Sequence, residues 1–248
     1  MRHYPLYIFD LDGTLYRGDE VIPGAQDTLA ALRARGAAIR YLTNNSTRSR
    51  ATYVNLLSRM GFAAHPSEVY TSALATAEYL RGSIAVAHVV GEAGLTIALE
   101  DAGIRVSERA PDAVVVGLCR ALSYELLSRA MQHLLAPRVR FVATNRDATL
   151  PLEGGSLVPG AGAIVAALAT CAGREPELVG KPSPFSVEWI LREAGVSPGD
   201  ALVVGDRFET DIVAGQRAGC PVHLVLTGVT RVAPDGVPSS AQLADLLR

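Results

Sequence analysis

The sequence predicts an α/β fold, a doubly wound and mostly parallel sheet with a second α/β unit inserted in its middle. Three observations carry that prediction. Short β-rich apolar runs alternate with helix-like segments along almost the whole chain, the rhythm of βαβ units with helices on both sheet faces. A chain of 248 residues, 49% hydrophobic and 19% charged, can fill one large core or two small ones. Residues 75–175 hold enough strands and helices to form a compact unit of their own, which gives the division 1–74, 75–175 and 176–248.

The elements follow in order. "LYIF" (6–9) reads as the first strand and "GAQDTLAALRARG" (24–36) as a helix closed by Gly36. "AAIRYLT" (37–43) is a second strand, and "STRSRATYVNLLSRMG" (46–61) a helix ending at Gly61. In the middle, "SIAVAHVVG", "DAVVVGL" and "VRFVATN" read as strands, with "GLTIALEDAG" and "SYELLSRAMQHLL" as the helices between them. Further on come the strand "DALVVGD", the helix "TDIVAGQRAG" and the strand "PVHLVLTG". "RVAPDGVPSS" (231–240) is turn-rich and reads as a loop before a last short helix. Phe185 and Trp189 fit the packing face of a helix.

Composition excludes several roles. A formal net charge of −2 leaves no basic footprint for nucleic acid or an anionic membrane. No apolar run approaches the roughly 20 residues needed to span a bilayer, and "MRHYPLYIFD" lacks the apolar region of a signal peptide. Cys119, Cys171 and Cys220 are far apart and form no CxxC, so they read as reduced core thiols of a cytoplasmic protein. His3, His65, His88, His133 and His223 are too scattered for a histidine zinc site.

Four separated stretches hold the chemistry. "DLDGT" ends the first strand with Asp10 and Asp12, and carboxylates at the end of a buried strand need a counter-charge from elsewhere. "LTNNS" brings Thr43 and Asn44, "GKPSP" brings Lys181, and "GDRFETD" brings Asp206 and Asp211. Carboxylates in this number suit a hard divalent cation such as Mg²⁺. A lysine with a Thr-Asn pair supplies donors for phosphate oxygens. Asp10, Thr43 and Asp206 each fall just after a strand-like run, where the ligand crevice of such a sheet lies. With a cation present, one carboxylate can attack phosphorus while the other serves as acid and base.

These stretches, in this order and along the whole chain, resemble the haloacid dehalogenase superfamily of aspartate-nucleophile phosphatases. "DLDGTLY" followed by "GKP" and "GDxxxTD" carries the resemblance. The insert between "LTNNS" and "GKPSP" is similar to the cap of class IIA, as are "ATNRDATLPLEGG", "PGAGAIVAAL" and "VGKPSPF". The class includes p-nitrophenyl, phosphoglycolate, pyridoxal and nucleotide phosphatases. The resemblance implies a Rossmann-like core with an α/β cap, and Mg²⁺-dependent hydrolysis of a small phosphorylated metabolite. It implies Asp10 as nucleophile and Asp12 as acid and base, with the Asp12 carbonyl also facing the metal. Asp10 and Asp206 would be the carboxylate ligands of the metal, with Asp211 ordering metal-bound water. Thr43, Asn44 and Lys181 would hold phosphoryl oxygens, and pairing of two copies through the cap would give a homodimer.

Other readings stand beside these. Asp211 with Thr210 also suits the first turn of a helix. "VVGEAG" and "VPGAGAI" are incomplete nucleotide-binding fingerprints and read as tight turns at helix starts. Arg120, Arg146 and Asp147 lie in the insert, where substrate contacts could fall. The polar run "NRDATLPLEGG" (145–155) after a strand is the segment expected to select substrate, through Asn145, Arg146, Asp147 and Leu150. Two rival functions use the same residues: a phosphotransferase or phosphomutase, and a non-catalytic module that stores an aspartyl phosphate.

Overall fold

The computed structural model describes residues 2–151 and 156–248. Two compact units emerge. One contains the chain up to Thr43, Tyr53–Tyr70 and Lys181–Arg248; the other contains Asn44–Thr52 and Thr71–Gly180.

The first unit is built on a six-stranded sheet. From one edge its strands are Ser239–Ser240, Val222–Val225, Ala201–Gly205, Leu6–Phe9, Ala38–Thr43 and Val69–Thr71. Leu6–Phe9 runs parallel to both its neighbours, Leu6 facing Ala201 on one side and Ala38 on the other. Counted in chain order the sheet reads 3-2-1-4-5-6, the doubly wound arrangement whose switch point lies between strands one and four. "LYIF", "ALVVG" and "VHLV" are buried at every position, as strands covered on both faces must be. Tyr7, Phe9, Ile39, Tyr41 and Val204 pack there with Leu32 of the helix Ala25–Ala34 and Leu57 of Arg50–Arg59. Trp189 of the helix Phe185–Ala194 is buried edge-on against Tyr70, while Phe185 is half-buried.

The second unit repeats the theme. Its five strands are ordered Glu177–Leu178, Arg140–Ala143, Ala113–Val116, Val86–Val90 and Arg105–Val106, and every neighbouring pair is parallel. The helix Tyr124–Leu134 starts on Ser123, whose hydroxyl accepts from the Leu126 N–H. Leu134 packs with Val114, Phe141 and Leu168 of the helix Ala161–Ala172.

Several expectations change in detail. Ser239 and Ser240, read as loop, pair with Leu224 and Val225 as an edge strand too short to show a period. Helices at Ser72–Leu80 and Ala161–Ala172 are richer in alanine than in periodic pattern, which hid them. Cys171 is exposed, whereas Cys119 and Cys220 are buried; its helix is small and apolar on every side, so no polar face marks the solvent side. The expected division 1–74, 75–175 and 176–248 shifts at its edges, since 44–52, 71–74 and 176–180 all join the second unit. There the Gly94 N–H bonds the Thr47 carbonyl at 3.1 Å and the Ser72 hydroxyl bonds the Asn44 carbonyl at 2.5 Å. Residues 152–155 of the expected selector run lie outside the described residues.

Candidate active site

The site of the first unit grows out of the switch point. Asp10 leaves the first strand with its N–H still bonded to the Val204 carbonyl, 2.9 Å away, so its side chain starts at the carboxyl end of the sheet. Asp206 leaves the adjacent strand Ala201–Gly205 at the same end. Lys181 lies between carboxylates. Its ammonium, 3% exposed, donates to Asp10 Oδ1 at 2.5 Å, Asp211 Oδ1 at 2.5 Å and the Leu42 carbonyl at 3.3 Å. Asp211 Oδ2 accepts in turn from the Arg207 N–H at 3.0 Å, which fixes the carboxylate that fixes the lysine.

The electrostatics are lopsided. Carboxylate oxygens of Asp10, Asp206 and Asp211 come within 4.8 Å of one another, against one ammonium. Burial pushes Asp10 well above the usual carboxylate range; Lys181 pulls it down, while Asp211 and Asp206 push it further up. Burial, then the charge of Asp211, pushes Asp206 up to about 6. Burial would lower Lys181, but Asp10 and Asp211 outweigh it and hold the ammonium above its ordinary value. Excess negative charge on an all-oxygen donor set fits a hard divalent cation and offers nothing to a soft one.

Backbone closes tightly around Asp206. Gly13 has φ +82°, and a Cβ there would lie 2.5 Å from Asp206 Oδ2; a Cβ on Gly228 would run into the same oxygen. The Val229 N–H donates to that oxygen at 2.5 Å. Thr227 and Gly228 fall at the tail of the expected strand "PVHLVLTG" and Val229 and Thr230 just beyond it; their place after "VHLV" at the carboxyl end of the sheet is the signal that points to them.

The expected residues divide between the units. Asp10, Lys181, Asp206 and Asp211 come together in the first. Asp12 lies exposed in the turn after Asp10, and Thr43 is buried at the end of its strand. Asn44 belongs to the second unit, where its amide donates to both oxygens of Asp147 at 3.2 Å. Asn145 is buried beneath that pair: it donates to the Asn44 carbonyl at 2.8 Å and accepts from the Asp147 N–H at 3.1 Å. Leu150 pairs with Val158 in a short hairpin. Arg146 is ion-paired with Glu175, and Arg120 with Glu92 at 2.5 Å.

A doubly wound core that ends in clustered carboxylates and a buried lysine defines a class of phosphate-handling hydrolases, and comparison agrees. Residues 7–105 match the haloacid dehalogenase-like hydrolases, and residues 178–246 match a second family described as HAD-hydrolase-like. The chain belongs to the haloacid dehalogenase-like hydrolases, as a class IIA phosphoric monoester hydrolase. It is 40% identical to the glycerol-3-phosphate phosphatase of Gallus gallus, over 90% of this chain and 80% of that one. The p-nitrophenyl phosphatase from Archaeoglobus fulgidus superposes with a TM-score of 0.92 at 32% identity, covering 99% of each chain. A glycerol phosphate phosphatase from Mycobacterium tuberculosis, solved in complex with calcium, gives 0.89 at 35% identity, over 98% of this chain and 74% of that one. No helix among the described residues is long and apolar enough to cross a membrane.

Proposed function

We propose that the protein hydrolyses small phosphomonoesters in two steps through an aspartyl phosphate on Asp10, with Mg²⁺ as its cation. The observation that carries this reading is Lys181, held 2.5 Å from both Asp10 and Asp211 beside Asp206. In the first step an Asp10 oxygen attacks phosphorus and a new O–P bond forms. The ester O–P bond breaks, and Asp12 gives its proton to the leaving oxygen. In the second, Asp12 takes a proton from water, whose oxygen attacks phosphorus and breaks the bond to Asp10. Phosphate leaves and both residues are restored.

Lys181 keeps positive charge beside the attacking oxygen, and Asp211 keeps Lys181 in place. Thr43 is the stronger candidate for a phosphoryl oxygen, since the Asn44 amide is committed to Asp147. Asp10 and Asp206 would hold the cation, with the Asp12 carbonyl and Asp211 nearby. Once bound, it offsets the carboxylates' charge and the charge gathering on the phosphoryl oxygens.

The relatives direct the first assay to glycerol 3-phosphate beside p-nitrophenyl phosphate. Purified protein is expected to release phosphate with Mg²⁺, to stop when chelated, and to restart when Mg²⁺ is restored. No release from either ester in Mg²⁺ would overturn the reading.

A further inference from the structure

We propose that Thr227 is a positioning residue, a clasp joining the two glycine backbones that enclose the Asp206 carboxylate. The proposal rests on the roles of Asp10, Asp12 and Asp206 given above.

After the strand Val222–Val225 the chain turns over Asp206 and is fastened there at its far end. The Val229 N–H donates to Asp206 Oδ2 at 2.5 Å, and the Thr230 N–H to the Asp206 carbonyl at 3.0 Å. Thr230 Oγ1 accepts from the Phe208 N–H at 3.0 Å. The near end is fastened elsewhere. The Thr227 hydroxyl donates to the Gly13 carbonyl at 2.7 Å, and the Thr227 carbonyl accepts from the Arg17 guanidinium. Arg17 belongs to the two-stranded hairpin Tyr16–Arg17 and Glu20–Val21 that follows the Asp10–Gly13 turn.

The glycines give this pattern its meaning. Gly13 and Gly228 both press against Asp206 Oδ2, with no room for a Cβ on either. They come from segments more than two hundred residues apart in the chain, and the Thr227 hydroxyl bonds one to the neighbour of the other. Gly13 also follows Asp12 directly. A shift of the Gly13 carbonyl would therefore move the acid–base carboxylate and the wall of the Asp206 pocket together.

A plain turn-stabilising role predicts something different. The Gly13 carbonyl lies in a half-buried turn, where water could replace the Thr227 hydroxyl at little cost to folding. Geometry at a cation site is less forgiving: the Val229 N–H, two residues from Thr227, bonds the Asp206 carboxylate, and disturbing such an outer partner lowers affinity or rate by about 10- to 100-fold.

The test uses the whole protein and three variants, Thr227→Val, Thr227→Ser and Arg17→Met. Calorimetry measures the affinity for Mn²⁺ alone, thermal unfolding gives Tm, and p-nitrophenyl phosphate turnover gives kcat and KM. Thr227→Val is expected to weaken Mn²⁺ binding and lower kcat, each by about tenfold, with KM and Tm nearly unchanged. Thr227→Ser restores the hydroxyl and should restore both values. Arg17→Met should shift both in the same direction, and decides the matter if the valine variant does not fold. Wild-type kcat and Mn²⁺ affinity in Thr227→Val would overturn the clasp, as would a serine variant as impaired as the valine one. Mn²⁺ affinity is read without substrate, so an inactive wild type would sink the proposed function and still leave the clasp decided.

Discussion

The two units carry the same kind of sheet and do opposite things with its most useful place. In chain order the first reads 3-2-1-4-5-6 and the second 2-1-3-4-5, so each has a switch point beside its own first strand. In the first unit the strands at that point end in Asp10 and Asp206, joined by Lys181 and Asp211. In the second they end in Gly91 and Gly117, and the chain's own residues 46–48 fill the space: a Cβ on Gly117 would lie 2.6 Å from Ser46 Oγ, and one on Gly94 2.6 Å from Arg48 backbone atoms. One crevice holds charge; the other holds packing. The difference teaches that the doubly wound fold supplies a place for chemistry, and strand-end residues decide whether it is used.

The sharpest way to break this comparison is to neutralise one oxygen of the charged crevice. Asp10→Asn keeps the size and loses the nucleophile, so turnover should fall by several orders of magnitude, with about 10⁶-fold the scale seen when a covalent nucleophile is removed. Circular dichroism and Tm should stay close to wild type. A folded Asp10→Asn protein with near-normal phosphate release would show that the first crevice is no more catalytic than the second.

Lys181→Met tests how far that crevice depends on its buried ammonium. The variant leaves Asp10 and Asp211 buried without their shared partner. Removing one member of a buried ion set costs about 3–5 kcal/mol where the remaining charges cannot relax. Here protonation of Asp10 and Asp206, both already pushed upward, relieves part of the loss. Urea unfolding at pH 5 and pH 8 is expected to show a larger deficit at the higher pH, where protonating a carboxylate to relieve the lost charge costs more. An equal deficit at both values would mean that the lysine is not the counter-charge of Asp10.

Equivalent glycines sharpen the contrast. Gly13→Ala sets a Cβ 2.5 Å from Asp206 Oδ2 at φ +82°, so activity should fall further than stability alone explains. Gly94→Ala sets one 2.6 Å from the backbone of Thr47 and Arg48, so stability should fall by about 1–3 kcal/mol through overpacking. Turnover per folded molecule and urea midpoints for the pair check both statements. The comparison fails if the two variants lose activity and stability in the same proportion.

The sequence showed the charged crevice more fully than the packed one, for physical reasons. Asp10, Asp206 and Lys181 stand beside apolar strand runs or in short motifs, where a charge so near a core demands explanation. Nothing similar marks 44–52: "NNSTRSRAT" has no apolar period, and its partners in the second unit, Ser72, Gly94, Asn145 and Asp147, are distant in the chain and carry no pattern that points back to it. The clasp at Thr227 was hidden in the same way, since its bonds run to the carbonyl of Gly13 and from the side chain of Arg17. Asn44 was legible as a polar strand-end residue, but its partner Asp147 is more than a hundred positions away.

Each unit also buries one histidine, and the smallest expected effect separates them. His223 in the first unit shares a hydrogen bond with Ser240 at 2.9 Å. His88 in the second is 2% exposed, and neither ring nitrogen has a hydrogen-bond partner among the described residues. Its neighbours are the His133 ring, edge-on at 5.2 Å, and Glu108, 3.8 Å from Nε2, with Arg129 paired to Glu108. Burial lowers the pKa of both histidines. Each therefore takes up a proton more readily in the unfolded chain, whose histidines titrate near ~6.5. Stability is complete above that value and declines as pH falls from it toward the folded pKa. His88→Leu removes the titrating group together with two unsatisfied nitrogens, so it should be neutral or stabilising by up to about 1 kcal/mol at pH 7. Between pH 6.5 and 5 its advantage over wild type should widen. His223→Leu should lose stability at pH 7, because it leaves the Ser240 hydroxyl without that bond. Thermal midpoints of both variants across this range check the sign. If the His88→Leu advantage stays constant or shrinks as pH falls, His88 is not a group the fold holds neutral.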